Sequence, residues 1–196
     1  MEGHKDLFQY NNLTREGFIS LLLGDFEPNF GERMGKIVYE SDLYVTALDL
    51  ATEKEKLPLP ATDQAKIAFR AAYALEYAFF LDQERFISKC IPAFIESFPL
   101  TKNRSAHRHF GKIMTILLQT KRIILSPKQA EWVAEAAASW IADPKSRVAV
   151  QIWALQILSL LTPQVKWIAE ILPDAIGLLS RQPTPAMEVT LRRRLQ

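Results

Sequence analysis

A single cysteine, Cys90, in 196 residues rules out an intramolecular disulfide, so a stapled scaffold is excluded. Glycine is also scarce at 7 copies, which removes most of the residues that ordinarily mark sharp turns and helix ends. Neither charge dominates. The 24 Lys and Arg against 22 Asp and Glu leave a formal net charge of +2, and Arg192, Arg193 and Arg194 supply that excess by themselves. A pI near 8.6 therefore says little about partners. The longest charge-free run, between Arg147 and Lys166, is interrupted by Gln151, Gln156, Ser159, Thr162 and Gln164, so it reads as a buried helix and not as a membrane span. The start, Met-Glu-Gly-His-Lys-Asp, lacks the basic and apolar regions of a secretory signal, which makes the cytoplasm the expected compartment. Hydrophobic residues at 48% and charged residues at 23% are ordinary for a folded domain, and disorder is disfavoured.

No segment sustains the two-residue alternation of a half-buried strand, whereas apolar residues recur at steps of three and four, as in Phe18, Leu21, Leu22 and in Ile113, Ile116, Leu117. The chain reads as all-α. Prolines and polar pairs divide it into helices near 14–24, 30–53, 62–81, 83–98, 104–121, 127–142, 145–161 and 164–181, with a short one after Pro185. Ser126-Pro127 and Thr162-Pro163 read as N-caps followed by Pro at the first helical position, and Thr62-Asp63 as another cap. Helices of this length joined by short turns pack as antiparallel pairs, in a bundle or in a stack of hairpins.

Internal periodicity favours the stack. Arg70, Arg108 and Arg147, spaced 38 and 39 residues apart, each enter a helix followed by apolar residues two and five positions on. The helices between them carry Cys90-Ile91-Pro92 and Ile171-Leu172-Pro173, with the prolines 81 residues apart, about two repeats. A proline inside a helix costs about 3 kcal/mol, so its return at the same repeat position points to a bend that the fold uses.

A first helix with Ile-Pro or Leu-Pro in its middle, a turn containing Asp, and a second helix opening on Arg resembles the HEAT repeat. Asp143-Pro144-Lys145-Ser146-Arg147-Val148-Ala149 is the best match, with a looser one from Asp63 to Arg70. The resemblance implies a right-handed α-α superhelix, an armadillo-like solenoid of antiparallel helix pairs. One domain spans 1–196, with 1–61 as capping helices and 62–196 as repeats. It also implies structural roles for Arg70, Pro92, Arg108, Asp143, Arg147 and Pro173. Arg70-Ala71-Ala72-Tyr73-Ala74-Leu75-Glu76, Ser105-Ala106-His107-Arg108 and Lys112-Ile113 are further similar to a small bacterial HEAT-like family sometimes labelled adenylosuccinate lyase. The Gly-Ser-Ser and Met-Pro-x-Lys residues of the true lyases are missing here, so the label is not carried over.

Chemistry-bearing residues are sparse. Arg104, Arg108, Lys112, Thr115 and Gln119 share one helix face, suited to phosphates if Lys66, Arg70 and Arg147 align with it, and otherwise an ordinary solvated face. His107 and His109, two residues apart, point different ways and do not chelate one metal. Cys90 reads as a buried structural thiol, and Trp132, Trp140, Trp153 and Trp167 as packing. Gly31-Glu32-Arg33-Met34-Gly35-Lys36-Ile37 has the wrong spacing for a phosphate loop and Ile where a hydroxyl should hold magnesium. With no catalytic constellation, no metal set and no cofactor motif, the expectation is a non-catalytic module that binds a protein. Nucleic acid is the second candidate partner, an unrecognised enzyme the third reading, and no membrane is expected.

Overall fold

The computed structural model describes residues 13–180, and among these are nine α-helices, one 3₁₀ turn and no strand. The helices are α1 (Arg15–Leu23), α2 (Phe30–Glu40), α3 (Tyr44–Ala51), α4 (Ala61–Leu81), α5 (Gln83–Ser97), α6 (Arg104–Gln119), α7 (Pro127–Ala142), α8 (Val148–Leu161) and α9 (Ile168–Ser180), with the 3₁₀ turn at Phe98–Leu100. The all-α expectation is met. The chain divides into two compact units whose boundary falls inside α6, between His109 and Phe110.

In the first unit α4 is the central element. Five of its seven alanines, Ala68, Ala71, Ala72, Ala74 and Ala78, are fully buried, and such small side chains let α1, α2 and α3 all pack against one helix. The approach of α2 is the tightest, and it explains the glycine pair. A Cβ on Gly35 would lie 2.3 Å from Tyr77 Cβ and 2.9 Å from the Ala78 nitrogen, and one on Gly31 would lie 2.6 Å from Tyr73 Cζ. The failed phosphate-loop pattern is thus a packing seam. Around α5 a chain of edge-to-face rings, Tyr44 to Phe86, Phe79 to Phe86 and Phe86 to Phe94, fills the remaining core.

One helix expected over 30–53 is two. Asp42 adopts φ 55°, and the Leu43 N–H reaches back to the Val38 carbonyl, which is the closing bond of a Schellman cap. The same device ends α3, with Glu53 at φ 52° and Lys54 N–H on Asp49, and α6, with Lys121 at φ 54° and Arg122 N–H on Leu117. Glycine normally fills that left-handed position; here Asp, Glu and Lys do, and the usual sequence marker is missing. Asp42 is further held by Lys89 at 2.6 Å.

In the second unit α7 and α8 pair, and α8 also packs on α9. Ser126 caps α7 as expected, within a full capping box to Gln129 and with Pro127 in the first turn. The expected start at Thr162-Pro163 is instead the end of α8. Thr162 is its C-cap, the hydroxyl donates to the Leu158 carbonyl, and α9 begins only at Ile168. Pro92 lies inside α5 and Pro173 inside α9, and both are exposed, so the backbone donor that each proline lacks is missing from the outer face of its helix. The short helix expected after Pro185 and the basic Arg192–Arg194 lie outside the described residues.

Candidate functional site

The richest side-chain cluster of the first unit grows from the end of α1. Its last carbonyls need donors, and α4 supplies them: Lys66 Nζ donates to Leu23 O at 2.8 Å, and Arg70 Nη1 to Leu22 O at 2.7 Å and Gly24 O at 2.6 Å. Arg70 is buried, and that burial lowers its pKa, partly opposed by Asp25. Its guanidinium lies 5.1 Å from the Phe26 ring centre and 4.9 Å from that of Phe30. Neither Lys66 nor Arg70 joins a surface row of cations, which corrects the alignment considered above. Arg70 is a helix cap and an aromatic support.

Over this support Phe26 is 54% exposed. Its ring is near-parallel to Tyr73 at 6.4 Å and 18°, and Tyr73 is near-parallel to Phe69 at 6.1 Å and 13°. Phe69, Tyr73 and Tyr77 are all half-buried and follow each other by one turn of α4. The Tyr73 hydroxyl is pushed above its ordinary pKa, first by a hydrogen bond with Tyr77 and then by desolvation, while Arg108 pulls it back.

Beneath the row lies a pair that composition did not reveal. Glu76 and His109 are both buried, with His109 Nδ1 and Glu76 Oε2 hydrogen-bonded at 2.5 Å. The imidazole leans on Tyr73 at 5.0 Å and Phe69 at 5.6 Å, and its Nε2 is buried with no hydrogen-bond partner. At 2% exposure His109 does not reach a substrate as it stands; the pair instead ties α6 to α4. An acid among the buried Ala74, Leu75 and Ala78 was the available signal in the sequence that α4 needed a polar partner. His107 faces elsewhere, its Nε2 donating to the Thr101 carbonyl at 2.7 Å. Among the described residues no group of three or more metal-ligating side chains occurs.

The polar row expected along α6 is interrupted. Arg104, Arg108 and Gln119 are exposed and Lys112 is half-buried, but Thr115 is 1% exposed, its hydroxyl 3.5 Å from the Trp153 carbonyl. The cause is the close approach of α8 to Gly111, where an added Cβ would lie 2.9 Å from Trp153 Cβ. Asp143 Oδ1 accepts from the Lys145 N–H at 2.9 Å, and Arg147 is the exposed N-cap of α8. Cys90 is buried and its thiol is pushed up to about 12 by desolvation, the reverse of what a nucleophile requires. Trp140 is buried, while Trp132, 36% exposed, lies under Lys128.

The second unit holds a groove of about 490 Å³ between α7, α8 and α9. Ala138, Ile141, Leu158, Ile171 and Leu178 make it mostly apolar, with Asp174 as its charged wall. Gly177 opens it further, since a Cβ there would meet nothing within 4 Å. Among the described residues no helix is long and apolar enough to cross a membrane. Comparison with protein-family models, curated proteins and solved structures finds nothing that matches this chain.

Proposed function

We propose that this chain is a non-catalytic binding module, a right-handed superhelix of HEAT-like hairpins whose partner is another protein. The observation that carries the reading is the groove between α7, α8 and α9. Its volume, apolar lining and single acidic wall suit an amphipathic helix that inserts bulky apolar side chains and presents a Lys or Arg to Asp174. Leu178, 48% exposed on the rim, is an apolar anchor that no neighbour covers fully.

The test is a tagged full-length pull-down from the native lysate, with and without nuclease, repeated with Leu178→Glu. A stoichiometric protein that survives nuclease and is lost with Leu178→Glu supports the reading. A partner that Leu178→Glu retains removes the groove as its site, and the absence of any nuclease-resistant partner removes the reading itself. The substitution is at a half-exposed position, so an unchanged melting temperature separates lost binding from lost fold.

A further inference from the structure

We infer that residues 186–196 of this chain are themselves a ligand of the groove between α7, α8 and α9, which a partner protein must displace. The inference rests on the reading of that groove as a helix-binding site. Its α9 wall is apolar on two adjoining sides. Ile168, Ala175 and Leu179 are buried, whereas Ile171 and Leu178, two turns apart, line the groove, with Leu178 48% exposed. Next around the helix come Asp174 and Glu170, both exposed. The groove is therefore an apolar strip with an acidic border, and α9 itself contains no cation.

The sequence that follows α9 is the complement of that strip. Pro183 and Pro185 do not fit the interior of a continuing helix, so the chain must leave the axis of α9. Met187, Leu191 and Leu195 then recur at every fourth position, the spacing that gives the helix expected after Pro185 one apolar face. Arg181, Arg192, Arg193 and Arg194 against Glu188 make residues 181–196 net positive, opposite in sign to Glu170 and Asp174. The geometry permits the return. Residues 181–185 span about 17 Å when extended, and Ile171 lies about 14 Å back along α9 from Ser180. A tether this short sets an effective concentration in the millimolar range, which fills the groove through contacts too weak to hold a separate peptide.

The experiment is limited trypsin digestion of the full chain, with the rate of cleavage after Arg192, Arg193 and Arg194 followed by mass spectrometry. Cleavage tracks the fraction of molecules in which the segment is undocked, so the wild type is cut there about tenfold more slowly than Leu178→Glu or Met187→Glu. The double variant is cut no faster than either single one, because both substitutions remove the same contact. Cleavage at the exposed Lys121 and Arg122 is the internal control, since a variant that had lost its fold would be cut faster there too. Equal rates at Arg192–Arg194 in the wild type and both single variants, or additive effects in the double, overturn the inference. Protection that grows with protein concentration also overturns it, because the segment then docks on a second copy. No partner is needed for this assay, so its failure is distinct from failure of the pull-down. A protected segment with no nuclease-resistant partner removes only the protein-binding reading, and an unprotected segment with a partner lost in Leu178→Glu removes only this one.

Discussion

Gly31, Gly35 and Gly177, three of the five glycines inside the described helices, lie at very different distances from their neighbours, so the single change Gly→Ala measures helix spacing. In every case alanine gains about 1 kcal/mol of helix propensity, and only the steric term differs. At Gly177 the new Cβ meets nothing within 4 Å, so the whole gain survives and the melting temperature rises by roughly 2–4 °C. At Gly35 the Cβ lands 2.3 Å from Tyr77 Cβ and 2.9 Å from a backbone nitrogen, and α2 must move away from α4. Overpacking of that kind costs about 1–3 kcal/mol and more where backbone has to yield, which leaves a net loss of about 1–2 kcal/mol. Gly31 is intermediate, since its clashes are with ring atoms of Tyr73 and Tyr77, but Tyr73 is wedged by Phe26, Phe69 and His109. Calorimetric melts should therefore rank Gly177→Ala above wild type, then Gly31→Ala, then Gly35→Ala. A Gly35→Ala protein melting at or above wild type would refute the tight α2–α4 seam.

Two further predictions rest on backbone and burial. Lys121→Gly and Glu53→Gly relieve left-handed conformations at Schellman caps and each stabilise by about 1 kcal/mol, measured by urea unfolding with an unchanged m-value. Burial raises Cys90 from 9.0 to about 12, so the folded state holds its proton where the unfolded chain releases it; stability is complete below pH 9 and falls by about 1.4 kcal/mol per unit as pH climbs from there towards 12. In Cys90→Ala that alkaline slope is shallower, with the part due to Tyr44, whose pKa burial also raises, left in place.

The cluster in the first unit was only partly legible. Arg108 and Arg104 stand out in the sequence as cations one turn apart, and they are exposed. Arg70 and Lys66 carry the same charge in the same kind of helix, yet they are spent on the carbonyls of Leu22, Leu23 and Gly24, some forty residues earlier. Charge and periodicity state which face of a helix a residue occupies; they do not state what ends opposite it. Glu76 and His109 show the same limit, because a partner 33 residues away is chosen by packing.

Local chemistry determined the rest. Three-and-four periodicity fixes an all-helical chain because a stripe of apolar side chains must be buried wherever the helix lies. Ser126-Pro127 fixes the start of α7 because the cap uses only its own neighbours. The break between α2 and α3 has no glycine to mark it in the sequence, because Asp42 takes the left-handed turn, stabilised by Lys89 from α5. Gly31 and Gly35 look like a damaged nucleotide loop until Tyr73 and Tyr77 are set against them. Helix identity is thus written in short-range sequence, whereas the use of each glycine, arginine and histidine is decided by residues that only the folded chain brings near, since close approach and desolvation are properties of pairs.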